Sequence, residues 1–422
     1  MKITFVSNYI NHHQMPFSKA MCAQPGVEYT FIQTEPMEEE RIRMGWNQLQ
    51  ELSPEKLPYL KLYYREPERC KALIAQSDVV IFGGCEDESY IAERLQSGKP
   101  VIRYSERLYK EGQWKAISPR GLCKKYRDHV RYRNAQVYLL CSGAYVADDF
   151  HIIRAYPDKM FRWGYFPETK HYDLDQLMEG KGNGRERVIS ILWAARMIDW
   201  KHPELVVRTA HYLKQKGINF HLTMAGGGEM EAEIHRLAEE LQVTDCMSFP
   251  GFCSPQKVRT MMEQADIYLV TSDRGEGWGA VVNEAMNSGC AVVADHMIGA
   301  VPYLIRHGEN GLIYRDKDHS RLFEQTAWLA QDRSRCRKLG EQAYRTITEE
   351  WNPENAAACL MELMGNLGLD SRRGVCQGTG AQCPQPMVGN RPHTLITPTG
   401  PCSPAPVVAE KKMYGYLMKE QR

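Results

Sequence analysis

The chain has 422 residues, with 53 lysines and arginines against 52 aspartates and glutamates. This length exceeds one ordinary hydrophobic core and predicts two domains of roughly 150 to 200 residues each, while the balanced charge argues against nucleic acid as the main partner. The 13 cysteines include no C-x-x-C pair and fall mostly in apolar runs, which favours reduced thiols in a cytoplasmic protein over a disulfide framework or a zinc ribbon.

Short strand-like runs alternate with longer polar segments through the first half of the chain, at residues 2–7, 29–34, 79–83, 101–104 and 137–141. This alternation predicts βα units and a parallel sheet in an N-terminal domain, residues 1–166. The first run is too short for the apolar core of a signal peptide. No apolar run reaches the roughly 18 residues of a membrane-spanning helix, and peripheral contact with the inner face of a membrane stays open.

Residues 167–187 carry Gly180, Gly182 and Gly184 and are predicted to be a flexible linker. The strand pattern then restarts at 188–195, 220–225, 247–250, 267–270 and 291–294, which predicts a second domain, residues 188–350. The predicted fold class is therefore α/β, with two Rossmann-like, doubly wound domains facing a central cleft. Ligands of such sheets bind beyond the carboxyl ends of the strands.

A Gly-rich turn between the run 267–270 and a predicted helix carries two glutamates, Glu276 and Glu284. Glycines permit a tight turn and close approach of the backbone to a ligand. The N-terminus of the following helix presents free N–H groups and a positive dipole end, which suit phosphate. With one carboxylate before the helix and one inside it, the pattern favours a nucleotide-sugar site. The alternative is an ordinary strand–loop–helix unit with glutamates placed by chance.

Residues 351–369 begin at Trp351-Asn352-Pro353 and are predicted to form the last folded helix. Residues 370–422 are rich in Pro, Gly, Gln, Ser and Thr, which predicts a disordered C-terminal tail. Its closing segment, 411–419, mixes lysines with apolar residues. That segment is either a frayed end or a weak anchor to a membrane surface or a partner.

The motifs of the second half, in their order, resemble the retaining glycosyltransferases of family 4, whose E-x7-E signature has the form S-x-x-E-G-[FW]-G-x-x-x-x-E-A-M-x-x-G. The matching residues are Ser272, Glu276, Gly277, Trp278, Gly279, Glu284, Ala285, Met286 and Gly289. Similar segments lie at 194–201, 222–229, 248–252 and 307–314. The resemblance covers roughly residues 188–357 and is weak before them. It implies the GT-B architecture, with the helix at 351–369 crossing back to the N-terminal domain.

The resemblance also implies roles for the site residues. Arg196 and Lys201 would hold the diphosphate and the charge of the leaving nucleotide, since fixed cations stabilise developing negative charge. Glu276 would contact the donor sugar, and with those two cations it completes the catalytic set. The implied donor-binding residues are Glu284 on the ribose, Gly277, Trp278, Gly279, Ala280, Val281 and Val282 around the phosphate, and Phe252 beside the base. A core position for Phe252, and solvated positions for Arg196 and Lys201, are the alternatives.

No cofactor and no essential metal are expected. The two D-x-D patterns, 173–175 and 316–318, do not end a central strand beside a phosphate-binding loop. Arg196, Lys201 and the helix dipole would take the place of a metal ion. No strong general base stands out, so the leaving phosphate itself is expected to deprotonate the acceptor on the same face of the sugar.

The first half departs from the family pattern. Residues 8–14, Asn-Tyr-Ile-Asn-His-His-Gln, replace the usual Gly-rich loop, and Glu106 lies where a histidine is common. His12, His13 and Glu106 are therefore candidates for contact with acceptor or donor, with plain loop roles equally open. Residues 299–303 lack the acidic residue that is common near Tyr303.

The function predicted on this basis is transfer of a sugar from a UDP- or GDP-linked donor to a glycan or lipid-linked glycan, with retention at the anomeric carbon. Surface polysaccharide or glycolipid biosynthesis is the expected setting, by analogy with the family. A nucleotide-sugar epimerase of similar architecture and a non-catalytic nucleotide-sugar-binding protein are the alternatives. Donor, acceptor and oligomeric state are left unassigned.

Overall fold

The computed structural model describes residues 1–37, 56–181, 188–370 and 395–420. These residues form two all-parallel β-sheets with helices packed on their faces. Within these ranges, no helix combines the length and the apolar character needed to cross a bilayer. The described cysteines are free thiols, most of them buried.

The first sheet has seven strands in the order β3-β2-β1-β4-β5-β6-β7. The strands are β1 Lys2–Ser7, β2 Glu28–Gln33, β3 Leu60–Leu62, β4 Val79–Gly83, β5 Val101–Ser105, β6 Val137–Ser142 and β7 Met160–Trp163. Its central strands are largely buried on both faces, and every residue of β4 is buried, as expected of a parallel sheet covered by helices on both sides. The edge strands β3 and β7 were not predicted.

The helices of the first half are α1 Met15–Cys22, α2 Pro67–Gln76, α3 Ala92–Gln96, α4 Pro119–Asp128 and α5 Val146–Ile152. Proline in the first turn begins α1, α2 and α4, where a missing N–H costs nothing.

The second sheet has six strands in the order β10-β9-β8-β11-β12-β13. They are β8 Ile189–Ala194, β9 Phe220–Ala225, β10 Met247–Gly251, β11 Ile267–Val270, β12 Ala291–Asp295 and β13 Leu312–Tyr314. The helices of this half are α6 Leu174–Glu179, α7 Pro203–Gln215, α8 Glu231–Glu240, α9 Pro255–Gln264, α10 Ala280–Asn287, α11 Val301–Leu304, α12 His319–Ala330, α13 Arg333–Arg345, α14 Pro353–Asn366 and α15 Glu410–Glu420.

The segment predicted to be a flexible linker is partly docked on the second half. Its helix α6 buries Leu177 and Met178. Lys181 is buried, and its Nζ donates to the carbonyls of Ala265 at 2.9 Å and Ser288 at 2.8 Å. Residues 182–187 lie outside the described ranges.

Helix α14 packs against α1, so the chain returns to the first sheet after completing the second. The same hydrophobic core includes residues of both halves. At its centre the Trp351 ring lies 6.1 Å from Phe166 and 5.9 Å from Trp278, measured between ring centroids. Gly164 lies so close to the Trp278 ring that an added Cβ would overlap it. This packing holds the carboxyl edges of the two sheets against each other.

The prediction of a disordered tail is wrong for residues 395–420, while residues 371–394 and 421–422 lie outside the described part. Cys402 N donates to Arg162 O at 2.9 Å, and Arg162 N donates to Ser403 O at 2.8 Å, so this segment pairs antiparallel with β7. Helix α15 buries Met413 and Leu417 in the core. These apolar side chains are engaged by the protein itself, because a composition rich in Pro and Gly does not prevent a short segment from completing an open sheet edge.

Candidate functional site

The Gly-rich turn joins β11 to α10 at the carboxyl edge of the second sheet. Gly279 has φ +87°, and an added Cβ there would lie 2.7 Å from Ile298 Cγ2. Both facts require glycine. Helix α10 begins at the next residue. The first N–H groups of an α-helix have no carbonyl acceptor inside that helix. The turn therefore supplies a helix N-terminus of the kind that binds anions.

Lys201 and Glu276 form an ion pair between the loops that follow β8 and β11. Their side chains are only 13% and 15% exposed. The Thr271 hydroxyl donates to the Lys201 carbonyl at 2.6 Å, and Asp273 N donates to Trp200 O at 3.0 Å. The Lys201 ammonium also lies 4.4 Å from the centroid of the Trp200 ring. These contacts fix the two loops together and place a cation and a carboxylate beside the helix N-terminus.

Arg196 follows the end of β8 and is exposed. Its guanidinium carbon lies 6.0 Å from the centroid of the same Trp200 ring. Arg196 and Lys201 therefore share one aromatic neighbour, the Trp200 ring. Two cations held near one ring in this way suit a diphosphate.

His202 supplies a further cation next to this pair. Its imidazole contacts Asp273 at 3.4 Å and Glu204 at 3.1 Å. Hydrogen bonds to Asp273 and then Glu204 raise the pKa of His202 to about 10, so the ring is protonated at neutral pH. No sequence motif indicates a role for this residue beyond its place after Lys201.

Glu284 lies inside α10 and is half-buried. Burial raises the pKa of its carboxyl, and the nearby Arg259 guanidinium opposes that shift. Arg259 itself donates to the Asn287 side-chain oxygen. A partly buried carboxylate of this kind is a good acceptor for sugar hydroxyls, because their hydrogen bonds replace the water that burial removes.

We expect Glu284→Gln to raise the unfolding temperature of the ligand-free protein above neutrality. An ionised Glu284 costs the folded state free energy, because its folded pKa is raised; wild-type stability therefore falls as pH rises through that pKa. The glutamine variant lacks this loss. Thermal scans should therefore show that the difference in unfolding temperature between the variant and the wild type shrinks as pH falls into the acid range. Binding of the preferred nucleotide should weaken by about tenfold, since a charged acceptor is lost.

Glu239→Gln, an exposed change on α8, is the control and should alter neither quantity. If the unfolding temperatures of Glu284→Gln and the wild type differed by the same amount at every pH, ionisation of Glu284 would not limit stability.

Across the cleft, the three N-terminal candidates lie together. The Tyr165 hydroxyl donates to the Glu106 carboxylate, and the Tyr165 ring stacks on His13 at 5.6 Å with an interplanar angle of 10°. His12 lies 3.8 Å from His13 between ring centroids. Burial lowers the pKa of His12 to about 4, and burial with the neighbouring His12 holds the pKa of His13 well below its usual value. Both imidazoles are therefore neutral at physiological pH.

The two sides of the site touch at Gly277. An added Cβ at Gly277 would overlap the Glu106 carboxylate. Lys110 Nζ donates to that carboxylate at 2.5 Å. The loop after β12 adds backbone links, since Gly299 N donates to Gly277 O at 3.2 Å and Ala144 N donates to Gly299 O at 3.0 Å. The structure therefore brings Glu106 next to the turn that carries Glu276.

The C-terminal helix reaches the same turn. Glu410 at the start of α15 accepts from Arg107 Nη2 at 2.6 Å and forms an ion pair with Arg274. Arg107 is buried after β5, and its Nε lies 3.6 Å from Asp149. Arg274 lies two residues before Glu276, so Glu410 fastens the turn to the first half of the chain.

A cavity of about 1020 Å³ adjoins this bridge. Lining residues that carry charge come from the loop after β8, from the turn, from the loop after β13 and from α15: His202, Asp273, Arg274, Arg315, Asp316, Lys317, Asp318, Glu410 and Lys411. Acidic and basic groups are mixed around it, which gives the cavity no single sign of charge.

Other residues named in the sequence predictions lie in the core, at the surface or at the starts of helices. Trp278 is 1% exposed, and its indole Nε1 donates to Asn283 Oδ1 at 2.8 Å, so its ring belongs to the core and only its backbone faces the turn. Phe252 is 70% exposed after β10, which excludes the core position. In the two D-x-D patterns, Asp173 and Asp318 cap α6 and α12. No group of three or more His, Cys, Asp or Glu side chains in the described ranges is arranged to hold a metal ion.

Sequence reasoning missed Tyr165, Trp200 and the Arg107–Glu410–Arg274 bridge. Trp200 lies inside the segment that holds Arg196 and Lys201, and its aromatic side chain between two cations was an available signal. Tyr165 precedes Phe166 at the end of the first domain, without a motif around it. The bridge joins residues 303 positions apart, and no local pattern indicates such a contact.

Residues 178–346 match the family model described as glycosyl transferases group 1. Among curated proteins, the chain is 26% identical over 172 residues to a putative colanic acid biosynthesis glycosyltransferase, WcaL, of Escherichia coli K12, covering 39% of this chain and 42% of that protein. It is 30% identical over 171 residues to the putative glycosyltransferase EpsD of Bacillus subtilis 168, covering 40% and 44%. The matched stretch thus spans less than half the length of each of these relatives.

Among solved structures, Anabaena Alr3699/HepE in complex with UDP superposes with a TM-score of 0.63 at 13% identity, covering 87% of this chain and 100% of that one. WaaG, a glycosyltransferase involved in lipopolysaccharide biosynthesis, superposes with a TM-score of 0.55 at 15% identity, covering 85% and 98%. At these identities the likeness concerns the fold alone. The predicted α/β class with two Rossmann-like halves in the GT-B arrangement is confirmed.

Proposed function

We propose that this chain is a retaining glycosyltransferase that moves a sugar from a UDP- or GDP-linked donor to a glycan or lipid-linked glycan acceptor. The observation that carries the proposal is the Lys201–Glu276 ion pair beside the N-terminus of α10, with Glu106 facing it from the other half. The match of residues 178–346 to the glycosyl transferases group 1 model covers the two paired residues and supports the same reaction class.

Donor binding would rearrange the ion pair. A diphosphate at the N-terminus of α10 offers Lys201 a partner with more negative charge than one carboxylate. Lys201 and Arg196 would then hold the phosphates. Glu276 would be released to accept hydrogen bonds from hydroxyls of the donor sugar, while Glu284 would accept those of the ribose.

In the transfer step, the bond between the anomeric carbon and the phosphate oxygen breaks, and its electron pair goes to the diphosphate. The fixed cations stabilise this charge more in the transition state than in the ground state, and that difference accelerates the reaction. The acceptor oxygen forms the new bond on the face that the phosphate leaves. Its proton passes to a phosphate oxygen, since the imidazoles of His12 and His13 have strongly lowered pKa values and are weak bases.

Tyr165 and Lys110 would set the position of Glu106 on the acceptor side. Burial raises the pKa of the Tyr165 hydroxyl well above its usual value, so this group stays protonated and donates to Glu106. Glu106, held between a phenol and an ammonium, is placed to bind an acceptor hydroxyl rather than to remove its proton.

The proposal is tested first by measuring unfolding temperature with UDP-, GDP- and ADP-sugars, since a ligand that binds only the folded state raises it. The stabilising donor is then incubated with candidate glycan acceptors, with and without a metal chelator, and the anomeric configuration of the product is read by NMR. We expect retention and no effect of chelation. Conversion of the sugar without an acceptor would indicate an epimerase, and donor binding without any product would indicate a binding protein. An inverted product would contradict the mechanism.

A further inference from the structure

The cavity of about 1020 Å³ beside the Glu410 bridge lies apart from the proposed nucleotide site. The residues expected to hold the nucleotide base and its phosphates follow β10 and β8, which lie on one side of β11 in the sheet. The loops after β12 and β13, on the other side of β11, line the cavity together with α15. His202 and Arg274 line it as well, and they lie next to Lys201 and two residues before Glu276. The cavity therefore adjoins the Lys201–Glu276 pair on the side away from the nucleotide.

Most carboxylates that line the cavity are engaged by the protein itself. Asp273 contacts the protonated His202 at 3.4 Å, and Asp318 caps α12. Glu410 holds the two arginines of the bridge. Asp316 is the exception, because no hydrogen bond or ion pair within the described ranges engages its carboxylate.

The cations of the loop after β13 and of α15 are not engaged in this way. Arg315, Lys317 and Lys411 are exposed, and none of them forms an ion pair with a carboxylate of the described ranges. These three cations face the single unengaged carboxylate of Asp316. Although groups of both signs line the cavity, the charge that the protein leaves without a partner there is positive.

We propose that this cavity binds the acceptor, and that the acceptor is an acidic glycan whose carboxylate or phosphate groups contact Arg315, Lys317 and Lys411. The inference rests on the proposed transferase function. A glycan whose reacting hydroxyl lies beside Glu276 would extend into the cavity, whose volume suits an oligosaccharide of a few sugar residues. The unpaired cations would then select an acidic chain over a neutral one by charge complementarity.

The observations favour a glycan over an anionic bilayer. The three cations line a concave space, not a convex face. Met413 and Leu417 of α15 are buried in the core, so they cannot enter the acyl chains of a membrane. Tyr414 lines the cavity with a half-buried ring, which offers an apolar face and a hydroxyl to a sugar.

The test is calorimetric titration of the full chain with hexagalacturonate, with its neutral, fully methyl-esterified counterpart and with a phosphate-bearing mannopentaose. We expect binding of an acidic oligosaccharide, weakened by salt, and no binding of the neutral one. The acidic probe that binds identifies the anionic group. Lys317→Asn with Lys411→Gln should weaken this binding about tenfold, since exposed ion pairs contribute about threefold each. Asparagine tolerates the left-handed φ of +65° at Lys317, so the variant should keep the wild-type unfolding temperature.

Lys338→Gln with Lys412→Gln is the matched control, because it removes the same charge at exposed positions outside the lining of this cavity. It should bind the glycan as wild type does. In the transfer assay, the cavity variant should raise KM for the acidic acceptor and leave kcat nearly unchanged.

Equal binding of the neutral oligosaccharide, absence of binding, or equal losses in the control would overturn the inference. Displacement of the glycan by UDP or GDP would also overturn it, because the cavity would then hold the nucleotide. Binding of phosphatidylglycerol vesicles in place of the glycan would have the same meaning.

Donor binding keeps this inference distinguishable from the transferase proposal. The rise in unfolding temperature with the stabilising nucleotide sugar is recorded for the wild type and for each variant, and it should be the same in all of them. A stabilising donor without any bound glycan would refute the inference alone. The absence of any stabilising donor would instead refute the transferase proposal.

Discussion

Glu276→Gln is expected to lower turnover with the stabilising nucleotide sugar by about 10²-fold or more while the fold stays intact. Removal of one preorganised charge-stabilising group has an effect of this size in other enzymes. Here the carboxylate has two tasks, since it pairs with Lys201 before donor binds and would hold the donor sugar afterwards. Arg196→Ala should cause a loss of similar size, because a phosphate-binding cation is removed.

The measurement is initial rate against donor concentration at fixed acceptor, with unfolding temperature recorded for every variant. Lys214→Ala is a matched control, because Lys214 forms an exposed ion pair with Asp245 in the same half, and exposed pairs contribute little. If Glu276→Gln and Arg196→Ala both retained full turnover, the site would lie elsewhere.

Glu410→Ala is expected to lower the free energy of unfolding by about 2 kcal/mol, because it leaves a buried guanidinium with one partner fewer. Arg107 is 2% exposed and would keep Asp149, at 3.6 Å, and the Tyr145 ring, 4.9 Å from its guanidinium carbon. The same change frees Arg274 from α15 and loosens the turn that holds Glu276. We therefore expect turnover to fall more than stability alone would explain.

A double-mutant cycle separates the two effects. Denaturant unfolding and turnover are measured for Glu410→Ala, Arg274→Ala and the pair, with the exposed Lys412→Ala as a control on the same helix. Strong coupling of Glu410 with Arg274 in turnover is expected. Additive losses would mean that α15 stabilises the fold without positioning the turn.

The sequence predicts the centre of the fold better than its edges, for a physical reason. β4 is a continuous apolar run, and β1 is rich in apolar residues and buries every residue after Lys2; both strands lie where the sequence predicts them. β3 and β7 have three and four residues and contain Lys61 and Arg162. Edge strands need less apolar surface, so their pattern is weak. The sequence predicts disorder for residues 402–405, because their pairing with β7 depends on a partner far away in the chain.

The same distinction applies to the site. Glu276, Lys201 and the glycines of the turn belong to short motifs in loops that follow strands. Such motifs can be recognised from neighbouring residues in the sequence alone. The meeting of Glu106 with Gly277, and of Glu410 with Arg107 and Arg274, depends on how two halves and a terminal helix pack. Trp278 illustrates the limit, because the motif predicts a role for its backbone at the turn but does not indicate that its ring fills the core between the halves.

The pairing of residues 402–405 with β7 has a consequence for synthesis of the chain. The ribosome completes β7 early, but the segment that covers its outer edge, together with α14 and α15, emerges only after the whole second half has been made. During that interval the nascent first sheet exposes an unpaired strand edge and part of its core, which are the features that make folding intermediates aggregate. We therefore expect chain elongation rate and chaperone supply to affect the yield of this protein in cells.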